Sequence, residues 1–261
     1  MAGRLAPAFP LLAALFLSAL VCADTASAQG HGAQPHWSYS GPDGPEHWGD
    51  LDPSFATCKT GKRQAPINIV NAKKAELQPI QFDYKSAPLK ILNNGHTIVI
   101  NYAPGSSITA GGKQYPLIQF HFHKPSEEEI GGKRFAMVMH IVHVRPDGTA
   151  AAIGILLKAG KENPFIKTLW ANLPKEEGKQ VEVPNLTINV ADILPANQNY
   201  YEYAGSLTTP PCGEGVEFFI LKTPVEVSSA QISAFAKLYP MNARPIQSTN
   251  GREILESDFK K

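Results

Sequence analysis

The residues Gln119-Phe120-His121-Phe122-His123 alternate in a way that could do metal chemistry. On a β-strand successive side chains alternate faces. His121 and His123 therefore share one face, about 6.5–7 Å apart along the strand, while Phe120 and Phe122 enter the other. Two imidazoles on one strand can share an ion if a neighbouring strand brings a third. The run Met137-Val138-Met139-His140-Ile141-Val142-His143 offers one. Its apolar alternation reads as a strand, and His140 and His143, three apart, face opposite sides of the sheet, so only one of them can join the pair. Three neutral imidazoles suit zinc and leave a fourth tetrahedral position for water, the arrangement of a catalytic site rather than a closed structural one. A lone histidine on a strand is more often a satisfied core residue than a ligand. A His-x-His pair between two phenylalanines differs, because both imidazoles must find partners on a buried strand.

These residues need a sheet to hold them, and strand signals dominate the chain. Leu89–Leu92 and Thr97–Tyr102 flank Asn93-Asn94-Gly95-His96, a hairpin signature, and apolar or alternating runs follow at Leu117–His123, Phe135–Val144, Ala151–Leu157, Leu186–Val190 and Val216–Leu221. Helical spacing is confined to Asn163–Ala171 and Ser229–Leu238, each beginning near an Asn or Ser able to cap it. Glycine and proline clusters separate the strands, and there is no internal repeat or linker. The expectation is a mainly β (α+β) fold: one domain over residues 29–261, with a large, twisted, mostly antiparallel sheet surrounded by short helices and loops.

Residues 1–28 have the pattern of a secretory signal peptide: Arg4, an apolar run over Phe9–Cys22, and the small-x-small site Ala26-Ser27-Ala28. The run is too short to span a bilayer and Asp24 closes it. Val21 and Ala19 fit a lipoprotein pattern at Cys22 poorly. A periplasmic or secreted protein is expected, with no membrane attachment after signal removal. The formal charge of +1 over 261 residues argues against nucleic acid or an anionic membrane as partner. Loss of the signal leaves Cys58 and Cys212, an even pair that in an exported chain reads as a disulfide. The segment from His31 to Asp50 lacks periodicity and is expected to wrap over the surface, with His36 and His47 packed against Trp37 and Trp48.

Nine motifs then occur in order: Trp37-Ser-Tyr39, Gly44-Pro-Glu-His47-Trp48, Gln64-Ala-Pro66-Ile-Asn68-Ile, Asn93-Asn94-Gly95-His96, Gln119-Phe-His121-Phe-His123, Pro125-Ser126-Glu127, His140-Ile-Val142-His143, Gly205-Ser-Leu207-Thr208-Thr209-Pro210-Pro211 and Asn242-Ala-Arg244-Pro245. Together they resemble the exported bacterial α-class carbonic anhydrases. The resemblance implies that His121, His123 and His140 hold Zn2+ at the floor of a cleft, and that zinc-bound hydroxide attacks carbon dioxide to give bicarbonate and a proton. Thr208 would accept the hydroxide's hydrogen bond and pass its own hydrogen to Glu127, which as a carboxylate can only accept. His96 matches the proton shuttle, with Tyr39 and Asn94 ordering water beside it. Val142, Leu207, Thr209 and Val216 match the substrate cleft, whose apolar wall suits a small nonpolar substrate. Assembly as a homodimer is compatible with the resemblance.

The chain departs from the family pattern in informative places. Many relatives carry Glu two residues before the third ligand, where it holds that imidazole's other nitrogen; here the residue is Val138. The same relatives often carry His where this chain has Glu128. An exchanged pair is expected, Glu128 reaching His140 from the adjacent strand, with Gln119 serving His121. Phe218 replaces a usual Trp, Ala152 a bulkier apolar residue and Val99 a polar one, which enlarges an apolar wall. A non-catalytic binding module of the same fold is the alternative, but such modules typically lose a zinc ligand. A zinc esterase as main activity would need an acyl pocket that the sequence does not reveal.

Overall fold

The computed structural model describes residues 35–259, so the expected signal peptide, Cys22 and His31 lie outside the described residues. The sheet runs from one edge in the order Gln180–Ile188, Ala87–Asn93, Ile98–Asn101, Lys113–His123, Met137–Val144, Ala150–Ala159, Glu214–Val227, Tyr200–Ser206, Leu255–Glu256 and Lys73–Lys74. Neighbours along this path are antiparallel except Ala150–Ala159 beside Glu214–Val227 and Leu255–Glu256 beside Lys73–Lys74. This is the sheet-dominated fold expected from the sequence.

The period-2 pattern divides the two faces. Phe120, Phe122, Met139, Ile141, Ile153 and Ile155 point into the larger core. There Phe120 meets Phe165 at 5.8 Å and Phe122 meets Trp170 at 4.9 Å, placing the Pro164–Trp170 and Ser229–Ala236 helices behind the Lys113–His123 strand. Both helices start as the sequence suggests. Asn163 Oδ1 accepts from the Ile166 N–H, and Ser228 and Gln231 form a reciprocal capping box. The opposite face packs Val138, Ala152, Leu156, Tyr203, Val216 and Phe218 into a smaller cluster, and the histidines rise from this side.

The segment expected as a strand over Leu186–Val190 is the end of a longer edge strand, Gln180–Ile188, and Val190 opens a short 3-10 helix. The edge strand's outer residues are polar because they face solvent, which hid their pairing. Tyr200–Ser206 forms a strand that its polar start concealed. Trp48 is fully buried rather than superficial, while His47 is exposed and the His36 side chain is 80% exposed.

Candidate active site

His121 and His140 stand opposite each other on adjacent antiparallel strands, with His123 two residues along. Their rings lie 4.9–5.6 Å apart, centre to centre. The pairing register shifts between Val142 and His143, whose partners are Gln119 and Leu117, and the side-chain alternation of Met139, Ile141 and His143 continues through it. His143 falls on the core side, where its Nε2 meets the Tyr84 hydroxyl at 3.0 Å. Of the two candidates for third ligand, the backbone presents His140.

Each imidazole has one nitrogen engaged. His121 Nδ1 lies 2.9 Å from Gln119 Oε1, and His123 Nδ1 donates to the Asn242 carbonyl at 2.8 Å. His140 Nε2 faces both oxygens of Glu128 at 3.1 and 3.3 Å. The remaining nitrogens, Nε2 of His121, Nε2 of His123 and Nδ1 of His140, are left to converge; one ligand atom from each residue lies within 4.8 Å of the others. His123 Nε2 is buried without a hydrogen-bond partner among the described residues, as is Glu127 Oε2 3.4 Å away. A buried acceptor without a donor is costly, and a metal ion resolves it. Burial lowers the His121 pKa well below the ordinary value, with His123 and His140 adding to the effect. Burial also takes His123 down to about 3, His140 adding to the fall. Both rings are therefore neutral and able to ligate. Burial would lower His140 as well, but the Glu128 carboxylate, by charge and hydrogen bond, raises it.

The glutamates sit where the chain turns back after the Lys113–His123 strand. Ser126 fixes that turn, its hydroxyl donating to the Glu128 carbonyl at 2.8 Å and accepting from the Phe135 N–H at 2.8 Å. A small sheet of Asn68–Ile69, Glu129–Ile130 and Lys133–Arg134 follows it, and Gly131 and Gly132, both at positive φ, form its turn. Glu127 and Glu128 are consequently both fully buried. Glu127 Oε1 accepts from the Arg244 backbone N–H at 2.9 Å. Burial pushes its carboxyl up to about 7, with His140 opposing, Glu128 adding, and the Arg244 N–H and Thr208 hydroxyl opposing. A cation among the imidazoles favours the carboxylate.

Thr208 lies in the Leu207–Gly213 loop between two paired strands. The loop is closed by Leu207 N–H to the Gly213 carbonyl and Cys212 N–H to the Thr209 carbonyl, both at 2.9 Å. Cys212 is bonded to Cys58, as the cysteine count led us to expect. Leu207 is 41% exposed and Val216 6%. Phe218 is buried, stacked on Tyr203 at 4.9 Å and edge-on to His140 at 5.9 Å.

His96 lies in the hairpin turn, its ring stacked on Trp37 at 3.7 Å. The Tyr39 hydroxyl is buried without a hydrogen-bond partner among the described residues. Asn94 Oδ1 accepts from the N–H groups of His96 and Thr97 at 3.0 and 2.8 Å, which leaves only its amide nitrogen for water.

Sequence reasoning gave no part to the groups that bind these pieces together. Asn242 receives His123 on its carbonyl, and its side chain donates to the carbonyls of His96 and Phe122 at 3.0 Å. The Arg244 guanidinium, 1% exposed as a residue, donates to Gln64 Oε1, the Ala65 carbonyl and the Cys58 carbonyl. Gln64 in turn donates to the Cys212 carbonyl at 3.0 Å. Their presence in two of the matched motifs was the available signal.

A family model described as eukaryotic-type carbonic anhydrase matches residues 43–258. The chain belongs to the α, or eukaryotic-type, carbonic anhydrase family. Reversible hydration of carbon dioxide is that family's activity. The chain is similar to a carbonic anhydrase of Neisseria gonorrhoeae, 40% identical over 253 residues that cover 96% of this chain and all of the relative. It is also similar to one from Nostoc sp., 39% identical over 85% of this chain and 86% of the relative. Among solved structures, the α-carbonic anhydrase of Thermovibrio ammonificans in complex with the inhibitor sulfanilamide superimposes with a TM-score of 0.83. It is 42% identical, and the match covers 85% of this chain and 100% of that one.

Proposed function

We propose that this protein catalyses reversible hydration of carbon dioxide to bicarbonate and a proton, using zinc held by His121, His123 and His140. One observation carries the proposal: Gln119, Asn242 and Glu128 each engage one nitrogen of a different imidazole, and the other three nitrogens are left to converge. Three imidazoles without a thiolate suit zinc and leave an open position. A zinc ion held there supplies the Lewis acidity that makes water a nucleophile near neutral pH.

The chain's own residues do the rest. Thr208 presents a hydroxyl whose hydrogen is directed to Glu127, so its oxygen faces the reacting water as an acceptor and fixes that water's orientation. The Arg244 N–H holds Glu127 in place from the other side. The backbone N–H of Thr208 faces the oxygen on which negative charge develops. Val142, Leu207 and Val216 keep a dry patch for carbon dioxide, bordered by Thr209. Released protons pass along water near Tyr39 and Asn94 to His96 and then to solvent. Glu128 takes the part that Glu at position 138 would take, fixing the His140 tautomer and strengthening it as a ligand.

Export to the periplasm or outside the cell is part of the same proposal. It is supported by the residue pattern of 1–28 and by the Cys58–Cys212 bond, which needs an oxidising compartment. N-terminal sequencing of the exported protein should read from Gln29, and an intact Met1 start would count against cleavage. The activity itself is tested by measuring carbon dioxide hydration and zinc content on one sample, before and after chelation; hydration no faster than buffer with zinc bound would overturn it.

A further inference from the structure

His96 stands apart from the buried histidines, at the turn between Ala87–Asn93 and Ile98–Asn101, and groups from three other segments surround it. Trp37 stacks on its ring, and His36 beside Trp37 lies 3.9 Å from Asp43. Tyr239, just beyond the Ser229–Ala236 helix, donates to Asn93 Oδ1 at the foot of the turn. The loop before the Gln180–Ile188 strand closes the third side. Its Gly178 N–H donates to the Asn93 carbonyl at 2.7 Å. A Cβ built on Gly95 would stand 2.4 Å from Glu177 Oε1, so the carboxylate lies over the backbone of the residue preceding His96. Glu177 is exposed and forms no ion pair among the described residues. Its charge is thus directed at the turn rather than neutralised by a lysine.

We propose that Glu177 is a positioning residue of the proton exit, its carboxylate favouring the imidazolium form of His96 and so setting the pH at which that ring exchanges protons. The proposal rests on His96 being the shuttle. Burial lowers the His96 pKa and His36 lowers it further, whereas Glu177 opposes both. A ring pressed too far down becomes a poor proton acceptor near neutrality, so an opposing carboxylate keeps it in the useful range. Glu177 does not touch the reacting atoms; it acts through His96.

The test is an NMR titration of the His96 ring in the zinc-loaded full chain, assigned with His96→Ala, for the parent, Glu177→Gln and Glu177→Lys. The His96 midpoint should fall by a few tenths of a pH unit in Glu177→Gln and about twice as far in Glu177→Lys, as expected for removing one and two units of charge across a partly hydrated gap. The displacement should shrink at high ionic strength. The pH profile of kcat for hydration should move the same way, while that of kcat/KM, which does not depend on proton export, stays in place. An unmoved midpoint in both variants overturns the proposal. A midpoint that moves while the kcat profile stays fixed overturns His96 as the shuttle on which the proposal rests.

Discussion

Replacing Glu128 by Gln tests how this chain supports its third ligand. The carboxylate is fully buried and faces His140 Nε2 at 3.1 and 3.3 Å. Gln keeps the shape and an acceptor but removes the charge. A hydrogen bond to a charged group contributes about 1.5–3 kcal/mol and a neutral one about 0.5–1.5. The difference, roughly 1–1.5 kcal/mol, corresponds to about a tenfold weaker zinc Kd. Glu128→Val removes the acceptor altogether and should approach the hundredfold end of the range for such outer partners. Competition with a chelator at pH 8.5 measures both. The higher pH matters because Glu128 also raises the His140 pKa and so strengthens the proton that competes for Nδ1, an offset that fades as pH rises. The double variant Glu128→His with Val138→Glu should recover most of the affinity that each single change loses. A Glu128→Gln protein with zinc Kd within twofold of the parent's would refute the exchange.

Acid should destabilise the protein through His143, which burial holds down to about 3. Because its folded pKa lies below its unfolded one, stability present above about pH 6.5 is lost as pH falls towards 3. Urea unfolding of His143→Gln between pH 6 and 4 should therefore show a slope shallower by about 1.4 kcal/mol per pH unit, and an unchanged slope would reject this assignment. Removing the disulfide by Cys58→Ser with Cys212→Ser opens a loop of 154 residues and should cost at most about 4–5 kcal/mol, read as a lower urea midpoint. An unmoved midpoint would show that the bond constrains little. Ala152, Phe218 and Val99 should favour bulky aromatic sulfonamides over slim ones relative to a relative carrying Trp at position 218. An equal preference in paired inhibition curves would count against a wider wall.

The sheet and the grouping of His121, His123 and His140 were legible because their signal is local. Alternation at Gln119–His123 sets which side chains share a face, and the apolar run around His140 supplies the neighbouring strand. Glu128 could be anticipated from the missing carboxylate at Val138, a gap that only chemistry makes visible. Asn242, Arg244 and Tyr203 were not legible in role, since their contacts join segments far apart in the chain and polar residues read as surface. Glu177 is further still from any motif, and its relation to His96 exists only once the loop closes on the Asn93 carbonyl. The same limit explains Tyr200–Ser206 and the outer half of Gln180–Ile188. Their pairing is set by neighbours and solvent exposure rather than by their own periodicity.

The most direct measurement is stopped-flow carbon dioxide hydration by the mature protein, with zinc determined on the same sample, after chelation and after zinc is restored. The account predicts rapid hydration with about one zinc per chain, lost with the metal and regained with it. A folded, zinc-loaded protein that hydrates carbon dioxide no faster than buffer would contradict it and leave a binding module of the same fold.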